Sequence, residues 1–239
     1  MPNDVIRIHD SLKENNIPLQ LYYGTIVDFN NNPKNYDYKN SIISPISKKI
    51  KEKFDLKTLK DEVVVQRYRT FYWDKLGIDP TKRRPAGEAL VRRILHGNGL
   101  YKINFFVDGY NWASAAMRIP ISAYDMDSLE LPILARFARK NEEFKDIAGK
   151  VRRLQGNEVV LSDQNGQIVT QFPFRDANKT KITKKTRNIL IVVLGIGGLK
   201  RTELEATFNK ILFNLQKGEA THEKSFKIKI EKKGFVTNV

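Results

Sequence analysis

The longest apolar segment of this chain spans residues 189–199 and is interrupted by glycines. It is too short to cross a bilayer, so we expect it to lie inside a folded protein. Residues 188–194 are predicted to form a buried strand, and residues 195–198 a turn into a helix over residues 200–215. With 239 residues, the chain is long enough to bury a sizeable core.

The remaining apolar patterns place helices mainly in the first half of the chain and strands in the second. Helices are predicted over residues 5–15, 41–54, 59–73, 86–96 and 103–117. Strands are predicted over residues 19–29, 133–137, 158–162, 167–174 and 225–230, with a hairpin turn at residues 163–166. This order favours an α+β fold over a doubly wound α/β fold. No internal repeat or flexible linker divides the sequence, so we expect residues 1–239 to form a single domain.

The charge balance points to a polyanionic partner. The chain has 42 Lys and Arg residues against 27 Asp and Glu, for a formal net charge of +15. Such an excess puts nucleic acid first among the expected partners, with a solvated lysine-rich surface as the alternative. No acidic residue occurs between Asp176 and Glu203, and a second basic cluster surrounds Arg83. The cations predicted to contact phosphates are Lys82, Arg83, Arg84, Arg92, Lys179, Lys181, Lys184, Lys185 and Arg187.

Metal and cofactor chemistry is not expected. The chain contains no cysteine, and its three histidines have a spacing that fits no metal-binding motif. Asp125, Asp127 and Glu130 are close enough in sequence to hold Mg²⁺, but capping of the next element is the favoured role for such residues at a turn. The first ten residues lack the apolar core of a signal peptide, so we expect a cytoplasmic protein without membrane association.

The middle of the chain resembles a known module. The segments concerned are residues 69–85 (RTFYWDKLGIDPTKRRP), 88–95 (EALVRRIL), 103–111 (INFFVDGYN), 119–127 (IPISAYDMD), 175–176 (RD) and 180–188 (TKITKKTRN). They resemble, in the same order, the editing module formed by the fused third and fourth domains of the phenylalanyl-tRNA synthetase beta subunit, and its free-standing relatives look especially similar. Each segment alone is a weak signal, whereas the set is specific over about residues 67–194.

This resemblance implies a layered fold with a β-sandwich-like core and flanking helices. Residues 66–194 would form the core of the editing module, residues 1–65 an N-terminal elaboration, and residues 195–239 a C-terminal helix and strand. In the synthetase, the module is implied to bind the acceptor end of tRNA and to hydrolyse mischarged tyrosine from the tRNA for phenylalanine. No segment resembles the catalytic core of the synthetase, so we do not expect aminoacylation.

The same resemblance implies a cleft of neutral donors that orient an aminoacyl ester and stabilise an oxyanion. The predicted catalytic residues are Asn104, Asn111, Ser122 and Thr183, and the predicted pocket residues are Tyr110, Tyr124 and Asp108. The alternative for Asp108 is a structural role, as a helix cap or in a salt bridge with Arg92 or Arg93. Two positions depart from bacterial synthetases: Ser122 stands where they have a pocket histidine, and Val192 where they have a pocket glutamate.

Three functions compete at this point. The leading one is a tRNA-binding protein that hydrolyses mischarged aminoacyl-tRNA in trans. The second is a binding module without catalysis, which would tether tRNA or join a synthetase or another translation factor. The third is a small-molecule hydrolase or amino-acid sensor. The net charge of +15 argues against the third, because a small substrate does not require an extended basic surface.

Overall fold

The computed structural model describes residues 4–33, 36–218 and 228–239. As the sequence predicts, these residues form a mixed α+β structure with several sheets and flanking helices. The α-helices are α1 Asp10–Glu14, α2 Ser44–Lys53, α3 Val63–Leu76, α4 Ala86–Leu95, α5 Phe105–Met117 and α6 Arg201–Gly218. The strands are β1 Ile6–Ile8, β2 Leu19–Val27, β3 Ile121–Asp125, β4 Ile133–Phe137, β5 Glu143–Lys145, β6 Val151–Arg153, β7 Val159–Ser162, β8 Ile168–Gln171, β9 Arg175–Asp176, β10 Ile189–Ile196 and β11 Lys229–Thr237.

A four-stranded antiparallel sheet contains the apolar strand β10, with the order β11-β2-β10-β3. All residues of β10 are buried, as the apolar segment predicts. Helix α6 packs on this sheet, and its close approach depends on two glycines. A Cβ on Gly24 of β2 would collide with the ring of Phe208, and a Cβ on Gly195 would lie 2.6 Å from a methyl carbon of Leu204. Because these two glycines have no side chain, α6 can lie this close to the sheet.

A second sheet has five strands in the order β1-β4-β7-β8-β9. The β1–β4 pair is parallel and the other pairs are antiparallel. The predicted hairpin turn joins β7 to β8, where the Gly166 amide donates to the Asp163 carbonyl at 3.0 Å and Gly166 has φ of +82°. Strands β5 and β6 form a separate hairpin. Buried side chains from both larger sheets and from α3, α5 and α6 belong to one hydrophobic cluster.

The structure differs from the sequence prediction in several elements. Residues 6–8 were expected to be helical, but they form β1 because they pair in parallel with the distant strand β4. No strand was predicted over residues 121–125, which form β3. Neither β5 nor β6 was predicted. Of the strand predicted over residues 225–230, residues 225–227 lie outside the described residues, and β11 begins at Lys229. Within the described part of the chain, no helix has the length and apolar character needed to cross a membrane.

Candidate functional site

The two positions that depart from bacterial synthetases are direct neighbours in the sheet. Ser122 on β3 is the cross-strand partner of Val192 on β10. Partners in an antiparallel pair point to the same face with their Cβ atoms roughly 5 Å apart. Both residues are buried, at 3% and 0% exposure. A histidine and a glutamate at these two positions would therefore lie side by side on one face of the sheet. This chain has smaller, uncharged side chains at both positions.

Ser122 is hydrogen-bonded to a carboxyl group of the other sheet. Its hydroxyl donates to Oδ1 of Asp176 at 2.7 Å, and the hydroxyl of Thr170 donates to the same oxygen at 2.6 Å. The second oxygen of Asp176, Oδ2, accepts no hydrogen bond from any residue that the structure describes. Burial raises the pKa of Asp176, and the hydrogen bonds from the two hydroxyl groups lower it. Burial has the larger effect, so the pKa is about 6. This carboxyl group is therefore partly protonated close to neutral pH.

Two predicted pocket tyrosines lie next to this carboxyl group. Tyr124 on β3 shares a 2.5 Å hydrogen bond with Thr170. Burial, followed by the charge of Asp176, raises the pKa of Tyr124 and of Tyr110 on α5 well above the usual value for a phenol. Both phenols therefore stay protonated at neutral pH and can donate hydrogen bonds. We call Ser122, Tyr124, Thr170 and Asp176 the Asp176 cluster.

A basic loop of residues 177–188 follows Asp176 directly and leads into β10. Two buried asparagines hold it against the start of α5. Asn104 accepts a hydrogen bond from the Val107 amide and donates to the Ile182 carbonyl at 3.2 Å. Asn31 accepts from the Phe106 amide at 2.8 Å and donates to the Thr183 carbonyl at 2.6 Å. Each asparagine thus satisfies one free amide of the helix N-terminus and one carbonyl of the loop.

Asp125 holds the same loop from the β3 side. Its amide donates to the Thr180 carbonyl at 2.9 Å, and its carboxylate accepts from the Thr186 hydroxyl at 2.7 Å. It also caps the short turn Met126–Ser128 by accepting from the Asp127 amide, which confirms the predicted capping role. The basic loop is thereby fixed at four points along its length: residues 180, 182, 183 and 186.

The cations of the basic loop point into solvent. Lys179, Lys181, Lys184, Lys185 and Arg187 are all exposed. Lys179 donates to the side-chain oxygen of Gln167. None of the five forms an ion pair with a carboxylate in residues 4–33, 36–218 and 228–239. A fixed backbone therefore presents a row of cations without acidic partners.

The second predicted basic cluster divides into exposed and buried parts. Lys82, Arg83 and Arg84 are exposed in the turn before α4. Arg83 stacks on the ring of Phe174, 5.7 Å from its centroid. Arg92 instead donates to the fully buried carboxylate of Glu88 at 2.7 Å, which Arg69 also contacts at 3.1 Å. The two guanidinium groups compensate the charge of Glu88 in the interior, so Arg92 already has a structural partner.

The predicted catalytic residues have different surroundings. The amide of Asn104 and the hydroxyl of Ser122 are used in the bonds described above. The Thr183 hydroxyl accepts from the Lys185 amide at 3.2 Å within the basic loop. Asn111 on α5 is half-buried, and its side chain has no hydrogen-bond partner among the described residues. Asn111 is therefore the one of these four side chains whose donors are free.

Asp108 lines a different part of the surface. Its carboxylate accepts from the Ile103 amide at 2.7 Å and from the Tyr36 hydroxyl at 3.3 Å. Burial raises its pKa. The Ile103 amide lies just before α5, so this bond fits the capping alternative. The salt-bridge alternative is wrong, because Arg92 pairs with Glu88 and Arg93 stacks on Tyr101, 3.8 Å from the ring centroid. Asp108 lies in a surface pocket of about 330 Å³, whereas Arg83 and Lys179 line two others.

Comparison with known proteins places this site within a family. The sequence profile of the B3/4 domain matches residues 67–210. The chain belongs to the B3/4 domain family. The match includes the Asp176 cluster, Asn104, Asn111 and the whole basic loop, whereas Asn31 and helix α2 precede it.

The curated relatives are phenylalanine–tRNA ligase beta subunits. The protein from Fusobacterium nucleatum subsp. nucleatum is 36% identical over 95 residues, which cover 40% of this chain and 12% of that protein. The protein from Thermobifida fusca is 32% identical over 92 residues, covering 38% of this chain and 11% of that protein. An N-terminal fragment of the phenylalanyl-tRNA synthetase beta subunit from Pyrococcus horikoshii aligns over 90% of this chain and 49% of its own, with a TM-score of 0.46 and 14% identity. This B3/4 chain thus matches only a small part of its curated relatives.

Sequence reasoning missed two members of the site. Asp176 appears there only as part of the Arg-Asp segment, and nothing local indicates that hydroxyl groups 54 and 6 residues away will surround it. Asn31 lies in an asparagine-rich segment whose composition is typical of a polar turn. The residue is nevertheless only 2% exposed. The surroundings of these two polar side chains depend on contacts with residues that are distant in the sequence.

Proposed function

We propose that this chain binds tRNA and hydrolyses the ester bond of mischarged aminoacyl-tRNA in trans. Its membership of the B3/4 family and its relationship to phenylalanine–tRNA ligase beta subunits support a function related to tRNA. The observation that carries the proposal is the direct connection between the basic loop and the Asp176 cluster. A surface of exposed cations and an ionisable carboxyl group are joined by consecutive residues of one fixed segment.

In the binding step, the exposed cations of the basic loop contact phosphates near the acceptor end. Lys82, Arg83 and Arg84 extend the contact along the backbone. Each contact releases counterions condensed on the RNA, so these residues supply affinity without reading sequence. Because the loop backbone is held by Asn31, Asn104 and Asp125, little conformational entropy is lost when it binds.

In the chemical step, water attacks the ester carbonyl, the bond to the ribose oxygen breaks, and that oxygen takes up a proton. Asp176 in its ionised form accepts the proton of the attacking water through its open oxygen Oδ2. Asn111 donates its free amide hydrogens to the developing oxyanion. Ser122 and Thr170 position Asp176 through their hydrogen bonds to Oδ1. Tyr110 forms the wall of the site.

A binding module without catalysis is the second candidate. The observation that favours it is the replacement of both members of one cross-strand pair, Ser122 and Val192, relative to bacterial synthetases. A protein that only tethers tRNA, or that joins a synthetase, keeps the basic loop and has no use for the lost pair.

The two candidates are distinguished by measuring deacylation of a panel of mischarged tRNAs together with tRNA affinity. We expect hydrolysis by the wild-type chain and a decrease of about a hundredfold in Asp176→Asn and Asn111→Ala, with affinity nearly unchanged. The Lys184→Ala/Lys185→Ala variant should show the opposite pattern, with weaker binding and an unchanged rate at saturating tRNA. Binding without hydrolysis of any tested tRNA would support the second candidate. Absence of tRNA binding at low salt would contradict both.

A further inference from the structure

The hairpin formed by β5 and β6 is attached to the start of the basic loop. The Asn178 amide donates to the Lys145 carbonyl at 3.1 Å, and the Asn178 side chain donates to the Ile147 carbonyl at 3.0 Å. The Ile147 amide in turn donates to the Asp176 carbonyl at 2.9 Å. The β5–β6 hairpin therefore has a fixed position beside the basic loop.

The turn of the β5–β6 hairpin is held by a buried carboxylate. Asp146 is 1% exposed and accepts hydrogen bonds from the amides of Ala148 and Lys150, at 3.1 and 3.0 Å. Its other oxygen accepts from the Arg175 guanidinium at 2.6 Å, which connects the turn to β9. The exposed side chains of the hairpin thus extend from an ordered backbone, as those of the basic loop do.

A cleft of about 610 Å³ lies between the β5–β6 hairpin, the β7–β8 turn and the basic loop. We call it the hairpin cleft. Lys145 lines it from the hairpin and Lys179 from the basic loop, and neither lysine forms an ion pair with a carboxylate of the described residues. The two glutamates in the lining each pair with an arginine: Glu142 with Arg136 at 2.7 Å and Glu143 with Arg153 at 3.6 Å. The unpaired charge of the lining is therefore positive, on both sides of the cleft.

The lining also contains a hydrogen-bond donor without an acceptor. The side-chain oxygen of Gln167 accepts a hydrogen bond from Lys179. The side-chain nitrogen Nε2 of Gln167 is buried and has no hydrogen-bond partner among the residues that the structure describes. A buried N–H group without an acceptor is unfavourable, and an oxygen atom of a ligand in the cleft would supply the missing acceptor.

We propose that the hairpin cleft binds the backbone of a double-stranded RNA stem, as a continuation of the basic loop. This inference rests on the proposed binding of tRNA and assigns a paired segment of it to the β5–β6 hairpin. Lys145, Lys150 and Lys179 contact phosphates of the stem. The free N–H of Gln167 donates to a ribose 2′-hydroxyl, a group that A-form RNA displays along its shallow groove.

The chemistry of the lining favours a paired stem over unpaired RNA. Unpaired bases are bound by stacking on aromatic side chains. None of the described residues that line the hairpin cleft is aromatic. Cations and a neutral donor suit a ligand that presents phosphates and ribose hydroxyls and keeps its bases inside a helix.

The same lining disfavours a protein partner. The centre of a protein interface is apolar and enriched in aromatic side chains. Among the described lining residues, Val151 is the one apolar side chain with substantial exposure, since Ile168 and Ala177 are 5% and 4% exposed. An acidic protein would therefore find charge in the cleft but little apolar surface to cover.

The test measures binding of a fluorescent RNA stem-loop to the full chain by anisotropy, with the single strand of one arm for comparison. Wild type should bind the stem-loop at least about fivefold more tightly than the single strand. Lys145→Ala/Lys150→Ala should weaken stem-loop binding by about tenfold, because two phosphate contacts are lost. Lys57→Ala/Lys60→Ala removes the same charge from exposed positions and should change it by less than about twofold.

A second variant tests the ribose contact. Gln167→Met has a similar volume but no side-chain N–H group. It should weaken binding of the RNA stem-loop by about fivefold and leave binding of a DNA stem-loop of the same sequence unchanged, because DNA lacks the 2′-hydroxyl. Circular dichroism of each variant confirms that the fold is retained.

Three outcomes would overturn the inference while leaving the proposed function in place. One is an equal loss of affinity in Lys145→Ala/Lys150→Ala and in the Lys57→Ala/Lys60→Ala control. Another is equal affinity of wild type for the stem-loop and the single strand. The third is displacement of the stem-loop by polyglutamate as readily as by unlabelled stem-loop, which would assign the cleft to any polyanion. Failure of wild type to bind either the stem-loop or tRNA at low salt would instead contradict the proposed function itself.

Discussion

The carboxyl group of Asp176 is held by hydroxyl groups, and no Lys or Arg among the described residues forms an ion pair with it. Asp146 shows the contrast. Burial alone would raise its pKa, but the Lys150 amide and the Arg175 guanidinium outweigh that effect, and the net pKa of Asp146 is lowered. Ser122 and Thr170 provide no charge, so burial dominates at Asp176 and its pKa is raised to about 6. The ionised form of Asp176 is therefore formed at a cost in stability.

The raised pKa predicts how stability depends on pH. Because the pKa of Asp176 is higher in the folded chain than its ordinary value of 3.8, its contribution to stability is fully present below that value and is lost as pH rises through about 6. Asp176→Asn keeps an oxygen that can accept from both hydroxyl groups but cannot ionise. Relative to wild type, this variant should gain about 2 kcal/mol of unfolding free energy between pH 4 and pH 7.5.

Urea denaturation of both proteins at the two pH values measures this difference. Asp74→Asn removes an exposed carboxyl group on α3 and corrects for the loss of one negative charge. A difference between wild type and Asp176→Asn that is the same at both pH values would show that Asp176 titrates as an ordinary carboxyl group.

Individual residues of the site were predictable only where the resemblance supplied them. Ser122 and Val192 are identified as departures by their position after Pro120 and Asn188, and the sheet register then places them together. Asn104 was assigned to catalysis, yet both ends of its side-chain amide are used in hydrogen bonds that hold α5 and the basic loop. Composition and spacing do not report such bonds, because the partners are separated by 78 residues.

At the scale of elements, the N-terminus of α5 and the basic loop form one unit. Asn104 and Asn31 each join an amide of the first turn of α5 to a carbonyl of the loop. Removing Asn31 leaves the Phe106 amide and the Thr183 carbonyl without their partner, which costs roughly 1–3 kcal/mol for buried polar groups. The larger effect of removing Asn31 should be local, because the basic loop would be held at fewer points.

Asn31→Ala should therefore increase amide hydrogen exchange in residues 181–187 more than in β10, which stays inside the sheet. Mass spectrometry of peptides covering both segments measures the difference. Asn209→Ala, at an exposed position of α6, is the matched control and should leave both segments unchanged. Equal acceleration of exchange in β10 and in residues 181–187 would indicate global destabilisation, contrary to the anchoring role.

Elements with strong local periodicity were predicted well, and elements defined by distant pairing were not. Helices α2, α4 and α5 follow their apolar stripes to within a few residues, and β10 follows its apolar run. Strand β3 was not predicted, because its five residues give too short a pattern to show a clear alternation of apolar and polar side chains. Strand β1 is three residues long and exists through its parallel pairing with β4, so a local helical preference is overridden.

Across the whole molecule, the net charge of +15 is distributed unevenly. Some cations neutralise buried carboxylates, as Arg69 and Arg92 do for Glu88. Others, on the basic loop, form no ion pair with a carboxylate of the described residues. The overall charge predicts that polyanions are attracted, but it cannot distinguish these two uses of a cation, since each depends on which carboxylates lie nearby in the folded chain.

The salt dependence of tRNA binding distinguishes a specific basic surface from a diffuse positive charge. Each phosphate neutralised by Lys or Arg contributes about 0.7–0.9 to the slope of log affinity against log salt. If Lys184 and Lys185 each contact a phosphate, Lys184→Ala/Lys185→Ala should lower the magnitude of that slope by about 1.4–1.8. Lys57→Ala/Lys60→Ala removes the same charge from exposed positions before α3 and should lower affinity only slightly, with the slope unchanged. Filter binding over a range of potassium chloride concentrations measures both slopes. Equal slopes for the two variants would mean that tRNA responds to net charge alone, and the basic loop would lose its assigned role.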